Sequence, residues 1–126
     1  MSKNILVISA SLRNGSNSDM LADEFMRGAL ESGNKAEKIT LRGKSINFCK
    51  GCLACQKTGK CVINDDMAEI LPKMQQADVI CFASPVYFYD MCGQLKTFLD
   101  RTNPLFPAEY NFTFSFAGFC YYRVCV

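Results

Sequence analysis

The sequence predicts an α/β domain in which a parallel sheet carries helices on both faces. Three observations predict it. Ile5-Leu6-Val7-Ile8 and Val79-Ile80-Cys81-Phe82-Ala83 are apolar at every position, the mark of strands buried on both sides. Helical apolar stripes alternate with these runs along the chain. The resulting order of strand, helix, strand, helix, strand, helix closes, through right-handed crossovers, into parallel strands. A chain of 126 residues is expected to form one domain, 1–126.

The first run is the opening strand. Ser9 to Ser18 follows as a polar loop rich in Ser, Asn and Gly. The next helix carries Leu21, Phe25 and Ala29 on one stripe at i, i+4, i+8. Ser16, with Asp19 three residues on, or Ser18 caps its start, and Gly33-Asn34 ends it. Glu37 to Leu41 is a short second strand. Residues 43–64 form a Gly- and Cys-containing connection with little periodicity, and a loop of that length in a compact domain usually has a function. Asp65-Asp66 opens a helix marked by Met67, Ile70, Leu71 and Met74, which Pro72 should kink or end. The second apolar run ends at Ser84-Pro85, followed by Val86, Tyr87, Phe88 and Tyr89. Leu95, Phe98 and Leu99 mark a last helix to about Arg101. Beyond Pro107, Phe112, Phe114 and Phe116 alternate with small residues, which is strand periodicity.

Composition narrows the function. Apolar residues are 49% and charged residues 21% of the chain, which excludes a disordered or collagen-like protein. A net charge of +2 is too mild for a nucleic-acid footprint. His is absent, so a Ser-His-Asp triad, a Cys-His dyad and any His metal ligand are excluded. No run approaches the length of a membrane span. Ile5 to Ile8 is too short for a signal-peptide core and has no cleavage site after it. The expected location is the cytoplasm. There, eight cysteines point to metal, cluster or redox chemistry rather than to a disulfide framework.

In an open parallel sheet, ligands bind at the carboxyl ends of the strands. The loop Ser9-Ala10-Ser11-Leu12-Arg13-Asn14-Gly15-Ser16-Asn17-Ser18 sits at such an end. A phosphate needs backbone N–H donors, which a helix N-terminus supplies. It also needs hydroxyl or amide donors, here Ser11, Ser16, Asn17 and Ser18, and a cation, here Arg13. The loop carries neither the dinucleotide glycine fingerprint nor the lysine-bearing NTPase loop. Helix capping alone is the other reading, although a cap uses only one or two side chains. The second loop, Ser84 to Tyr89, ends a neighbouring strand. Tyr87 and Phe88 offer flat apolar surface for a ring system or, alternatively, for the core.

Cys49-x-x-Cys52-x-x-Cys55-x5-Cys61 lies between the second strand and the second helix. Thiolates at this spacing can converge on one cluster. Gly51 and Gly59 let the backbone fold around it, and Lys50, Lys57 and Lys60 offset thiolate charge. Zinc fits less naturally, since paired C-x-x-C knuckles are its commoner arrangement. The alternative is a reduced or disulfide-bonded surface loop. Cys81 reads as core. Cys92, Cys120 and Cys125 receive no role.

The first loop resembles the "G-S-x-R-x-x-x-N-T/S" phosphate loop of the flavodoxin-like NAD(P)H-dependent FMN reductases. The second resembles that family's "S-P-V-Y" flavin loop, and Gly93-Gln94-Leu95-Lys96-Thr97-Phe98-Leu99-Asp100-Arg101 resembles the helix after it. Three segments match in order over residues 3–105. Ala10 stands for the usual Gly and Leu12 for the usual Pro, without loss of a side-chain donor. The cysteine spacing is similar to the 4Fe-4S motif of iron–sulfur flavoproteins, cysteine-bearing members of the family.

The resemblance implies a flavodoxin-like three-layer α/β/α sandwich with parallel sheet order 2-1-3-4-5. It implies FMN held at its phosphate by the Ser9, Ser11, Arg13, Ser16, Asn17 and Ser18 loop, with Pro85, Val86, Tyr87 and Phe88 bordering the ring. NAD(P)H would reduce FMN, and electrons would pass to a small acceptor: a quinone, an azo or nitro compound, or a flavin. No side chain is required as acid or base, so no catalytic residue is expected. The alternative is an iron–sulfur flavoprotein that exchanges electrons with a ferredoxin-like partner through FMN and a 4Fe-4S cluster on Cys49, Cys52, Cys55 and Cys61. A homo-oligomer is implied, with neither nucleic acid nor membrane as partner. The family's last strand, a flavin-contacting loop and the last helix have no counterpart in the sequence. The domain is therefore expected to be incomplete at its C-terminus, and a flavin-free, self-associating fragment is a further alternative.

Overall fold

The computed structural model describes residues 1–106 and 120–121. Strand β1 spans Asn4–Ser9, helix α1 Asn17–Glu31, β2 Lys35–Thr40, α2 Ala54–Thr58, α3 Met67–Gln76 and β3 Val79–Ser84. Short strands β4 (Val86–Tyr87) and β5 (Asp90–Met91) follow, then α4 (Gly93–Asp100), a 3-10 turn at Asn103–Leu105, and β6 (Cys120–Tyr121).

The main sheet has the order β2-β1-β3-β6. β1 lies parallel to β2, from Asn4 opposite Lys35 to Ser9 opposite Thr40. It also lies parallel to β3, from Ile5 opposite Val79 to Ser9 opposite Ala83. β3 pairs in parallel with β6, with Ala83 opposite Cys120 and Ser84 opposite Tyr121. The fold is α/β and flavodoxin-like, with the first four places of the expected sheet order. Among the described residues the fourth place belongs to Cys120–Tyr121. The alternating phenylalanines Phe112, Phe114 and Phe116 lie outside the described residues.

Successive side chains of a strand point to opposite faces, and the fully apolar runs feed two cores. On one face Leu6, Ile8, Ile39 and Phe82 pack against Met67, Ile70 and Met74 of α3, Leu95 and Phe98 of α4, and Leu105. Phe82 and Phe98 meet edge to face with ring centres 6.4 Å apart. On the other face Val7 and Ala83 pack against Ala22, with Ile5, Met26 and Cys81 at the margin.

Two helices depart from the sequence reading. In α1 the buried positions are Ser18, Asp19 and Ala22, while Phe25 is 43% exposed. Ala22 has to sit close over β1 and β3, so the large side chains Leu21 and Phe25 fall to one side, where they line an apolar groove with Cys81 and Ala83. Of the two outcomes expected at Pro72, a kink or an end, helix α3 does not take the second: it runs through Pro72 to Gln76. An interior proline costs a helix about 3 kcal/mol. Met67, Ile70 and Met74 are 0–2% exposed, and burying each contributes about 1.5–3 kcal/mol, enough to hold the helix across it.

The connection after β2 is more ordered than its lack of periodicity suggests. Helix α2 forms one turn within it between left-handed residues, Leu53 at φ 56° and Gly59 at φ 69°. Asp66 closes its neck: Oδ2 accepts from the Ser45 amide at 2.6 Å, and the Asp66 amide donates to the Ser45 carbonyl at 3.2 Å.

Candidate cofactor site at the carboxyl rim of the sheet

The first and second loops leave β1 and β3 at the same rim. The Ala10 amide donates to the Ala83 carbonyl at 2.8 Å, and the Leu41 amide to the Ser9 carbonyl at 2.8 Å, so the ladder stays closed up to the point where the loops diverge.

The first loop gathers hydroxyls at the N-terminus of α1. Ser16 Oγ donates to Ser11 Oγ at 2.6 Å and lies 3.3 Å from Ser18 Oγ. Ser11 is buried, and its hydroxyl donates to the Arg13 carbonyl at 3.1 Å while accepting from the Arg13 amide at 3.3 Å. Gly15 supplies the left-handed turn at φ 65° that brings Ser16 back over Ser11. Ser16 then caps α1 by accepting from the Asp19 amide at 3.3 Å. Three rotatable hydroxyls thus face the unpaired amides of a 15-residue helix, a donor set suited to a phosphate. Asn17 and the Arg13 side chain are exposed at its mouth.

Ser9 is placed differently. It is fully buried and donates its hydroxyl to Asp19 Oδ1 at 2.7 Å, away from the hydroxyl group of three. Asp19 also meets Lys38 Nζ at 2.9 Å. Burial works to raise the Asp19 pKa, but hydrogen bonds from Ser9 and Lys38 and the charges of Lys38 and Arg42 outweigh it, and the carboxyl is held below its ordinary value. A bare carboxylate in the first turn would oppose an incoming anion. Lys38 cancels that charge. The apolar-run logic gave no hint of this pair, because Lys38 reads as a surface lysine of an alternating strand.

The second loop is a hairpin. Val86 pairs with Met91 and Tyr87 with Asp90 in antiparallel register, leaving Phe88 and Tyr89 as a two-residue turn. Both have positive φ, 45° and 67°, as a type I′ turn requires. Phe88 is 95% exposed and its ring stands 5.8 Å from that of Tyr89. Tyr87 is half exposed, and Pro85 and Val86 are partly buried at the base. Phe88 is therefore not core, and of the four expected ring neighbours it projects furthest from the rim loop.

Cys92, which carried no expectation, joins the two loops. It is fully buried. Its amide donates to Ser84 Oγ at 3.1 Å, and its thiol reaches the Ala10 carbonyl at 3.7 Å. Its position just before α4 is the only trace in the sequence.

The four cysteines share one loop. Cys49 and Cys52 are exposed, Cys61 is partly buried and Cys55 is buried. Asn103 Nδ2 donates to Cys55 Sγ at 3.5 Å, and the Gly51 amide to Cys49 Sγ at 3.4 Å. Burial pushes the Cys55 thiol up, and the charges of Cys61, Cys52 and Cys49 push the same way. Among the described residues no three Cys, Asp or Glu side chains are close enough together to hold a metal ion. The donor chemistry suits a thiolate-ligated group, but the side chains are not drawn together to form one.

A parallel sheet with a hydroxyl-lined helix N-terminus at one strand tip and an aromatic hairpin at the next accords with the expected flavodoxin-like fold. The chain belongs to the NADPH-dependent FMN reductase family, whose model matches residues 3–118. It is 44% identical over 101 residues to an iron–sulfur flavoprotein of Methanocaldococcus jannaschii, covering 80% of this chain and 52% of that one. Among solved structures, the NAD(P)H:quinone oxidoreductase of Methanothermobacter marburgensis superposes with a TM-score of 0.67 at 20% identity, over 81% of this chain and 54% of that one. A flavone reductase superposes with a TM-score of 0.64 at 31% identity, over 82% of this chain and 31% of that one. The chain spans about half the length of the curated relatives it matches. Among the described residues no helix is long and apolar enough to cross a membrane.

Proposed function

We propose that this chain binds FMN at the carboxyl rim of its sheet and serves an NAD(P)H-dependent oxidoreductase that passes electrons to a small acceptor such as a quinone, an azo or nitro compound, or a flavin. The observation that carries the reading is the convergence of Ser11, Ser16 and Ser18 on the N-terminus of α1, one strand away from the aromatic hairpin. Ser11, Ser16, Ser18 and Asn17 donate to the phosphate, Arg13 adds charge from the mouth, and Ser9 acts through Asp19 by holding the first turn. Pro85, Val86, Tyr87 and Phe88 border the ring. FMN, when bound, supplies the acceptance of hydride from the nicotinamide and its onward delivery. The side chains bind, orient and keep water from one face of the ring, and none is needed as acid or base. The cytoplasm, where such reductants are available, is the location that accompanies this reading.

The test is binding of FMN and of riboflavin, which lacks the phosphate. Ser11→Ala combined with Ser18→Ala should lower FMN affinity by at least about tenfold, the value of one to two charge-assisted hydrogen bonds, and leave riboflavin affinity unchanged. Equal loss for both ligands would refute the phosphate assignment.

A second reading concerns the four-cysteine loop. Its support is the spacing of the four cysteines within one loop, together with the name of the Methanocaldococcus relative. In this reading Cys49, Cys52, Cys55 and Cys61 hold a 4Fe-4S cluster, and the protein exchanges electrons with a ferredoxin-like partner. Iron and acid-labile sulfide in anaerobically purified protein, lost together on mutation of Cys55, are the expected result. Protein that cannot be reconstituted with iron and sulfide excludes it.

A further inference from the structure

The backbone ladder between β1 and β3 ends where the two rim loops begin. Its last link runs from the Ala10 amide to the Ala83 carbonyl at 2.8 Å. Beyond it the first loop continues to Ser11 and the second to Pro85, and a side chain takes over the link. The Cys92 thiol donates to the Ala10 carbonyl at 3.7 Å, a length set by the large sulfur atom. The same residue closes the second loop. Its amide donates to Ser84 Oγ at 3.1 Å. The single hydroxyl proton of Ser84 serves either Cys92 Sγ at 3.3 Å or the Pro85 carbonyl at 2.8 Å. The hairpin β4–β5 lies between Ser84 and Cys92 in the chain, so these contacts hold it at its base.

The start of α4 does not account for where this sulfur sits. Cys92 is the N-cap of α4, yet its side chain makes no capping hydrogen bond. A side chain at that position ordinarily accepts from an amide of the first turn. Here the thiol reaches instead across the rim to Ala10. Cys92, Ala10 and Ser84 are all buried. No water competes for the contacts, so a weak S–H donor counts for more than it would at the surface.

We infer that Cys92 is the positioning residue that sets the spacing between the two halves of the rim site: it clasps the carbonyl immediately before Ser11 and the hydroxyl immediately before Pro85. This deepens the FMN reading above and rests on it. A ligand anchored at both ends gains affinity when its two subsites are held ready at the matching span. Cys92 is fully buried, and it acts through the two loops and not by contact with the ligand.

Binding of FMN and of riboflavin to Cys92→Ser and Cys92→Ala tests the inference. Both variants lose the reach of the sulfur, while Cys92→Ser keeps a side chain able to cap α4. In both, FMN affinity should fall by about tenfold, the worth of one misplaced hydrogen bond to a charged group. Riboflavin affinity should hold, so the ratio of the two affinities contracts. In the Ser11→Ala/Ser18→Ala background the same substitutions should cost FMN much less, because little phosphate contribution is left to lose. An unchanged ratio in both Cys92 variants would overturn the inference and leave the FMN reading standing. Equal losses for FMN and riboflavin would reduce Cys92 to a support of the hairpin and overturn it as well. An unmutated chain that binds FMN no more tightly than riboflavin would remove the phosphate assignment and the inference with it. The unmutated protein also gives a check that needs no folded variant. The rate of Cys92 alkylation by iodoacetamide, read by mass spectrometry, reports how often the loops part. FMN and riboflavin at equal multiples of their dissociation constants suppress global unfolding equally. FMN, which spans both loops, should therefore slow Cys92 alkylation further than riboflavin does, and identical rates contradict the proposal.

Discussion

Asp65 shows how much one buried side chain contributes. Its side chain is 3% exposed. Burial alone would raise its pKa, yet the Arg101 hydrogen bond, the amides of Asn47 and Met67 and the Asn47 side chain reverse this and hold it at about 2. A carboxyl depressed from about 3.9 to about 2 stabilises the fold by about 2 kcal/mol at neutral pH. The unfolded chain takes up its proton first as pH falls. The contribution is therefore complete above about pH 4 and disappears as pH drops to about 2. Urea melts across that range should show the loss, and Asp65→Asn should remove this segment of the pH dependence while lowering stability at pH 7. Ser16 is the second case, since it both caps α1 and joins the hydroxyl group of three. Ser16→Ala should cost about 1 kcal/mol of stability in flavin-free protein, read as a lower urea midpoint, in addition to its effect on FMN.

At the scale of elements, the hairpin β4–β5 is the informative one. Its turn places Phe88 and Tyr89 in the left-handed region, where bulky residues are strained by about 1–3 kcal/mol each and where Asn-Gly is the favoured pair. Phe88→Asn with Tyr89→Gly should therefore raise the melting temperature of flavin-free protein. The same double variant should weaken binding of riboflavin as well as FMN, because the ring side of the site is altered and the phosphate side is not. A variant with higher stability and undiminished riboflavin affinity would remove Phe88 from the proposed site. Helix α3 carries the complementary lesson: a local breaker, Pro72, is overruled by three buried side chains.

For the whole molecule, the two cores on either face of the sheet place the loops of β1 and β3 side by side, and the proposed ligand spans both. A ligand that binds only the folded state stabilises by mass action, about 2.7 kcal/mol at a hundred times its dissociation constant. For a chain of this length that corresponds to roughly 10 °C in Tm. Saturating FMN should produce such a shift. Riboflavin at the same concentration should produce a smaller one, and the gap should close in Ser11→Ala/Ser18→Ala. Identical shifts for both ligands in the unmutated chain would argue that the hydroxyls of Ser11, Ser16 and Ser18 do not meet the phosphate.

The sequence by itself determined the parallel sheet, the main helices and the two rim loops, because each rests on local patterns: unbroken apolar runs, i, i+4 stripes, and Ser, Gly and Pro at turns. Three features were decided only by tertiary structure. Ser9 turns to Asp19 because Lys38 of the adjacent strand fixes that carboxylate. Phe88 projects into solvent because a hairpin pairing places it at the tip. Arg101 is buried because Asp65, thirty-six residues away in the chain, and two loop carbonyls satisfy its charge. Each depends on a partner distant in sequence, and periodicity carries no information about which distant residue will neutralise a charge or complete a hydrogen bond.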